Sequence, residues 1–249
     1  MAFFDELDVV GARRELVALG GVLDAETLAA AYRAGVFPWP SAPGDEAALD
    51  RTARRLARRG AVPLLPGTPD GTPLVPWCSP DPRAVLLPHR LVVPRSLRQL
   101  LRRRGWEATV DAAFARVLHE CAAREQTWIT GPMKAAYLEL HERGGAHSVE
   151  VWAGDQLVGG LYGVQTGRVF SGESMFFHES GASKAAIVEL CARLQESGIA
   201  VLDTQQESAH LQALGQVLVH REDYLVAVRQ LRDDPAPLRT DRRPLARLG

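Results

Sequence analysis

Apolar positions in this 249-residue chain change period at Ala146, and that change divides the chain into a mainly helical first part and a strand-rich centre. Asp24 is suited to cap a helix over 25–34 that Gly35 ends, so that Val36-Phe37-Pro38-Trp39 leaves it as an aromatic loop. Residues 40–76 are rich in Pro, Gly, Ala and Arg and read as an insertion or mobile linker: RTARRLARR (51–59) as a short basic helix, LLPGTPDGTPLVP (64–76) as a loop. A turn-rich 77–83 leads to short strands at 84–88 and 90–94. Ser96 then opens a helix to Arg104, followed by a strand at 106–110 and a helix over 111–124. AHSVEVW, QLVGGLYGV and RVFSGESMFF are strand-like runs joined at Gly154-Asp155 and Thr166-Gly167, which are hairpin signals, so an antiparallel meander is expected over 146–177. After it come a helix (183–198), an apolar strand (199–205), a short helix (208–215), a strand (216–221) and a last helix (222–232). The tail 233–249 is expected to be disordered.

This order implies an α+β chain with one apolar strand inserted late into the sheet, and it resembles the acyl-CoA N-acetyltransferase type of fold. The expected division is an N-terminal region (1–76), a sheet-bearing region (77–232) and the tail (233–249). With 46% hydrophobic and 24% charged residues the chain can bury a real core. Its opening residues are acidic where a signal peptide would be basic, and no run reaches the roughly 18 apolar residues of a spanning helix, so a cytoplasmic location is expected. Cys78, Cys121 and Cys191 are too scattered for a zinc site or a disulfide scaffold, and the spacing of His141 and His147 favours structural roles over metal binding. The net charge of −1 hides an asymmetry: residues 51–104 hold twelve arginines against Asp70 and Asp81, a balance of +10 against −11 elsewhere. A basic face for a polyanion and an acidic region for something cationic follow, although with only two lysines, Lys134 and Lys184, arginine also serves every ordinary solvated position.

The stretches AYRAGVFPW, WCSPDPRAVL, TWIT, AAYLELHERGGAHSVEVW, LVGGLYGV, FSGESMF, ASKAA, LDTQ and HLQALG, in this order from about Gly20 to Leu225, resemble the successive signature blocks of leucyl/phenylalanyl-tRNA–protein transferases. The resemblance implies a small N-terminal domain on an acetyltransferase-like domain. The implied donors are tRNAs charged with leucine, phenylalanine or methionine, and the implied acceptors are proteins with N-terminal Arg or Lys, marked thereby for the N-end rule pathway. An aminoacyl ester is already activated, so no metal or cofactor is expected. The tasks are positioning, proton removal and oxyanion stabilisation.

Asp203 and Gln205 lie two apart on a strand, where alternation points them to one side, and the resemblance assigns them to proton removal and alignment. Glu173, in FSGESMF, is placed in the active site by the resemblance, to hold the cationic acceptor. Trp39 and Trp128 match the family's aromatic shelf for the terminal adenosine, and Leu161 and Phe170 its side-chain pocket. Leu161 departs from the methionine often found there, as Cys78 departs from a second tryptophan. Arg95, Arg98 and Arg102 share one helical face suited to tRNA phosphates, whereas RTARRLARR has no aligned counterpart. The competing readings are a CoA-dependent N-acetyltransferase, which should carry a glycine-rich loop where HESGASKAA stands, and a non-catalytic RNA-binding protein.

Overall fold

A computed structural model describes residues 2–39, 46–123 and 127–249; the start of the insertion (40–45) and the last residue of the helix expected over 111–124 lie outside the described residues. In chain order the N-terminal elements are α1 (Ala2–Glu6), β1 (Leu16–Gly20), α2 (Ala25–Arg33), β2 (Phe37–Pro38), α3 (Glu46–Arg58), β3 (Leu64–Leu65) and β4 (Pro76–Cys78). There follow β5 (Arg83–Leu86), α4 (Arg95–Arg104), β6 (Glu107–Val110), α5 (Phe114–Ala122), α6 (Gly131–Glu142), β7 (Ala146–Ala153), β8 (Gln156–Thr166) and β9 (Val169–Phe177). The chain closes with α7 (Ala182–Glu196), β10 (Val201–Gln205), α8 (Ala209–Gln212), β11 (Val217–Val219), α9 (Arg221–Leu231) and β12 (Arg243–Pro244).

Two mixed sheets result, ordered β2-β4-β1-β3 and β11-β5-β10-β9-β8-β7-β6-β12. The meander β7-β8-β9 forms the middle of the larger sheet, and α7 carries the chain over to β10, which pairs parallel to β9 and antiparallel to β5. A parallel neighbour needs such a crossover, so this late strand enters beside β9 only after a helix. One face of the sheet buries Tyr162, Val164 and Phe176 with Tyr32 of α2, Phe114 of α5, Tyr137 of α6 and Tyr224 of α9. The other buries Val149, Val151, Leu161 and Phe170 with Leu97 and Leu101 of α4 and the apolar side of α7.

Asp24 caps α2 by accepting from the Thr27 N–H at 2.7 Å, and Gly35 follows with φ +74°, as the sequence predicts. Other expectations are corrected. No strand forms over 90–94, where Pro94 lacks a donor and Pro88–Arg90 winds into a 3-10 turn. Pro94 rather than Ser96 precedes the first turn of α4. The helix expected from 111 begins at Phe114, because Asp111 takes left-handed backbone (φ 60°) and accepts from the Ser148 N–H at 2.9 Å. β4 belongs to the first sheet, which extends it past the expected boundary at 76. The tail, expected to be disordered, packs: β12 pairs with β6, Leu245 is fully buried, and the buried Arg193 donates to the carbonyls of Arg239 and Asp241 at 2.6 Å each.

Candidate active site

Two irregularities in the large sheet build the site. Between β8 and β9 the register passes from Tyr162–Ser174 to Gly163–Gly172, leaving Glu173 unmatched. Between β10 and β5 it passes from Asp203–Val85 to Gln205–Ala84, leaving Thr204 unmatched. Bulges of this kind re-aim side chains. Gln205 also holds left-handed backbone, φ 66°, a conformation that costs a residue with a Cβ about 1–3 kcal/mol. Its contacts offset that strain: the backbone N–H donates to Asp203 Oδ1 at 2.9 Å, and the side-chain amide Nε2 donates to Glu173 Oε1 at 2.6 Å. Gln205 therefore does meet Glu173, and Asp203 is joined to it through Gln205, but by a bulge and a left-handed turn rather than by strand alternation.

Asp203 is completely buried and its carboxylate accepts five donors. Oδ1 receives Arg83 Nε at 2.8 Å and the Gln205 N–H, while Oδ2 receives Arg83 Nη2 at 2.6 Å, the Tyr224 hydroxyl at 2.8 Å and Ser171 Oγ at 3.2 Å. This bidentate pair keeps Arg83 charged despite its burial and fixes the turn that presents Gln205.

Glu173 is 9% exposed, and burial lifts its pKa to about 7; the nearby Asp203 charge adds to that rise, while Tyr32, Tyr137 and Gln205 oppose it by stabilising the carboxylate. Tyr137 donates to Glu173 Oε2 at 2.9 Å, and the Tyr32 hydroxyl lies 2.8 Å from that of Tyr137. Tyr32, Tyr137, Arg83 and Tyr224 are site residues that sequence reasoning missed. AYRAGVFPW, WCSPDPRAVL and AAYLELHERGG contain the first three, but the sequence predicts no helix over 131–142, and no spacing shows that Tyr137 faces Glu173.

Trp39 is 36% exposed and lies nearly parallel to Trp128, with ring centroids 6.2 Å apart and planes 11° from each other. The pair is tied to the buried groups by contact, since Trp39 meets Phe37 edge-on at 5.8 Å and the Arg83 guanidinium lies 4.7 Å from the centre of the Phe37 ring. Leu161 and Phe170 sit in the other core, under α7, with Leu161 opposite Met175 in the β8–β9 ladder. Arg95, Arg98 and Arg102 are exposed on α4; Arg98 Nε donates to the Val93 carbonyl at 3.2 Å and Arg102 Nη2 to that of Gly249 at 2.8 Å.

A carboxylate poised near neutrality, held by an amide and two hydroxyls and linked by contact to a partly exposed tryptophan pair, has the character of an enzyme's reaction centre. The sequence comparisons give the class. The leucyl/phenylalanyl-tRNA protein transferase family model matches residues 85–229, and the model of that family's N-terminal domain matches 21–47. The leucyl/phenylalanyl-tRNA–protein transferase of Pseudomonas paraeruginosa is 43% identical over 223 residues, covering 88% of this chain and 86% of the relative. That of Azoarcus sp. is 43% identical over 84% of this chain and 78% of the relative, and that of Shewanella denitrificans 40% identical over 89% and 84%. This chain belongs to the leucyl/phenylalanyl-tRNA–protein transferase family and is an aminoacyltransferase.

Proposed function

We propose that the enzyme moves leucine, phenylalanine or methionine from an aminoacyl-tRNA to the N-terminal amine of cytoplasmic proteins that begin with Arg or Lys, creating an N-end rule degradation signal. The observation that carries this reading is the Glu173–Gln205 pair, a carboxylate of pKa about 7 held 2.6 Å from an amide. In the charged form Glu173 attracts the acceptor's cationic terminus. The amine nitrogen attacks the ester carbonyl carbon, and the C–N bond forms as the bond to the ribose oxygen breaks. Glu173 takes the proton the amine releases, which returns to that leaving oxygen. An α-amine, with a pKa near 7.7–8, costs only about 1 kcal/mol to neutralise at pH 7, so a modest base suffices.

Gln205 aligns the ester. Asp203, saturated by five donors, acts through Gln205 and is a positioning residue. The terminal adenosine stacks on the Trp39–Trp128 shelf. Leu161 and Phe170 select the donor side chain, a role that rests on the family resemblance. The exposed Arg95, Arg98 and Arg102 hold tRNA phosphates. An acetyltransferase-like sheet accords with a meander followed by a crossover helix and a parallel strand. Incubation with radiolabelled Leu-tRNA and a peptide beginning with arginine should place label in the peptide. Label taken instead from acetyl-CoA would establish the N-acetyltransferase reading.

A further inference from the structure

Helix α3 lies in the part of the chain that has no counterpart in the signature blocks, and its side chains divide by face. Ala53, Leu56 and Ala57 pack with Leu16, Leu19, Val62 and Leu74 into a small core against the N-terminal sheet. At about 100° of rotation per residue, Arg51, Arg55 and Arg58 occupy one arc on the opposite side, which Arg59 continues in the turn after the helix, its N–H donating to the Arg55 carbonyl at 3.2 Å. All four are exposed, and none makes an ion pair among the described residues. Arg54, between the two arcs, is instead neutralised by Asp50 at 2.7 Å. An ordinary solvated helix intersperses acids with its bases, as α6 does with Glu139 and Arg143. On α3, by contrast, Asp50 is spent on Arg54, and the four outward arginines have no ion-pair partner among the described residues.

The same helix walls a cavity of about 820 Å³ through Asp50, Thr52, Ala53 and Leu56, and Trp39 and Thr130 line that cavity too. The end of the cavity-lining arc, Thr52, adjoins the start of the basic arc, Arg59 and Arg55. A chain that ends on the Trp39–Trp128 pair and leaves along this cavity thus passes the arginines. We propose that α3 is a second tRNA-binding element, whose Arg51, Arg55, Arg58 and Arg59 hold backbone phosphates of the donor next to its aminoacylated 3′ end. The partner class follows from the charge arrangement: closely spaced guanidinium groups fit the regular phosphates of a nucleic acid strand. The inference rests on the proposed aminoacyl-tRNA donor, and adds a contact separate from α4.

The test compares the wild-type enzyme with the full-length R51Q/R55Q/R58Q/R59Q variant, using Leu-tRNA and the short ester leucyl-adenosine as donors. The slope of log affinity for tRNA against log salt should flatten by about two to three, the scale of as many lost phosphate contacts. Transfer from leucyl-adenosine should be unchanged, because that donor is too short to reach α3. The fourfold Arg→Lys variant should restore the slope. An unchanged slope in the glutamine variant, with the wild type still transferring from Leu-tRNA, overturns the role of α3 and leaves the activity standing. An equal loss with leucyl-adenosine also overturns it, since the substitutions would then act on the reaction centre. A wild-type enzyme that uses neither donor would instead overturn the activity on which the inference rests.

Discussion

Glu173 owes its pKa of about 7 first to burial, which disfavours the carboxylate. Because the folded value is raised above the ordinary one, the group's contribution to stability is fully present below about pH 4.5 and is lost as pH rises through about 7. Glu173→Gln removes that loss, so the melting temperature of the variant relative to wild type should rise between pH 5 and 8. Function runs the other way: KM for an Arg-initiated peptide should fall as pH climbs through about 7 and the carboxylate forms, and Glu173→Gln should abolish that fall while lowering kcat by roughly 10²–10⁴, the scale of a lost general base. A wild-type KM that is flat from pH 6 to 8 would remove Glu173 from acceptor binding. Asp203 makes a contrasting prediction. Asp203→Asn leaves Arg83 buried beside a neutral partner, which should destabilise the protein by about 3–5 kcal/mol in denaturant titration. Among molecules that remain folded, kcat should drop while the pH-rate limb near 7 persists, because that limb belongs to Glu173. Disappearance of the limb would make Asp203 the base itself. That Asp203, Gln205 and Glu173 belong together was legible only through the family resemblance. The left-handed backbone at Gln205 was not, since no local signal distinguishes it from a regular strand residue.

At the scale of elements, α4 presents Arg95, Arg98 and Arg102 to solvent while Leu97 and Leu101 anchor its inner face. Replacing the three arginines by glutamine should therefore leave the thermal unfolding curve nearly unchanged and flatten the salt dependence of tRNA binding by about two to three units of slope. Arg98 and Arg102 already donate to the Val93 and Gly249 carbonyls, so of the three single replacements that of Arg95 should have the largest effect. An unaltered slope in the triple variant would place the tRNA elsewhere. Helix α2, with its Asp24 cap and Gly35 stop, could be read from local chemistry because a cap and its first turn are neighbours in sequence. The strand expected over 90–94 failed for the opposite reason. Its β-branched residues suit a strand, yet the neighbouring edge of β5 is taken by β11, which arrives from more than a hundred residues later.

Across the whole molecule, α2 of the N-terminal region reaches the larger sheet through Tyr32, so Glu173 is completed by residues from both regions. The tail is a similar long-range element. Leu245 is buried among the residues under α4 and α7, and Arg247 donates to the buried Glu189 at 2.6 Å. Leu245→Ala should cost about 2–5 kcal/mol, read as a lowered denaturation midpoint with an unchanged slope. A cost near zero would mean that the tail contributes nothing to the folded state.

Helix α2, the meander with its two hairpins, the crossover α7 with the apolar strand after it, the basic segment and the family were determined by the sequence alone, because periodicity, turn residues and ordered motif blocks are local properties. What only the tertiary structure decided was which residues share a hydrogen bond. Beside the neighbouring Gln205 N–H, the donors on Asp203 come from Arg83, Ser171 and Tyr224, on two strands and a helix far from it in sequence. The tail's polar and proline-rich composition points to disorder when read by itself. It folds because Arg193, Glu189 and the edge of β6, buried or unpaired without it, supply partners that no local reading could foresee.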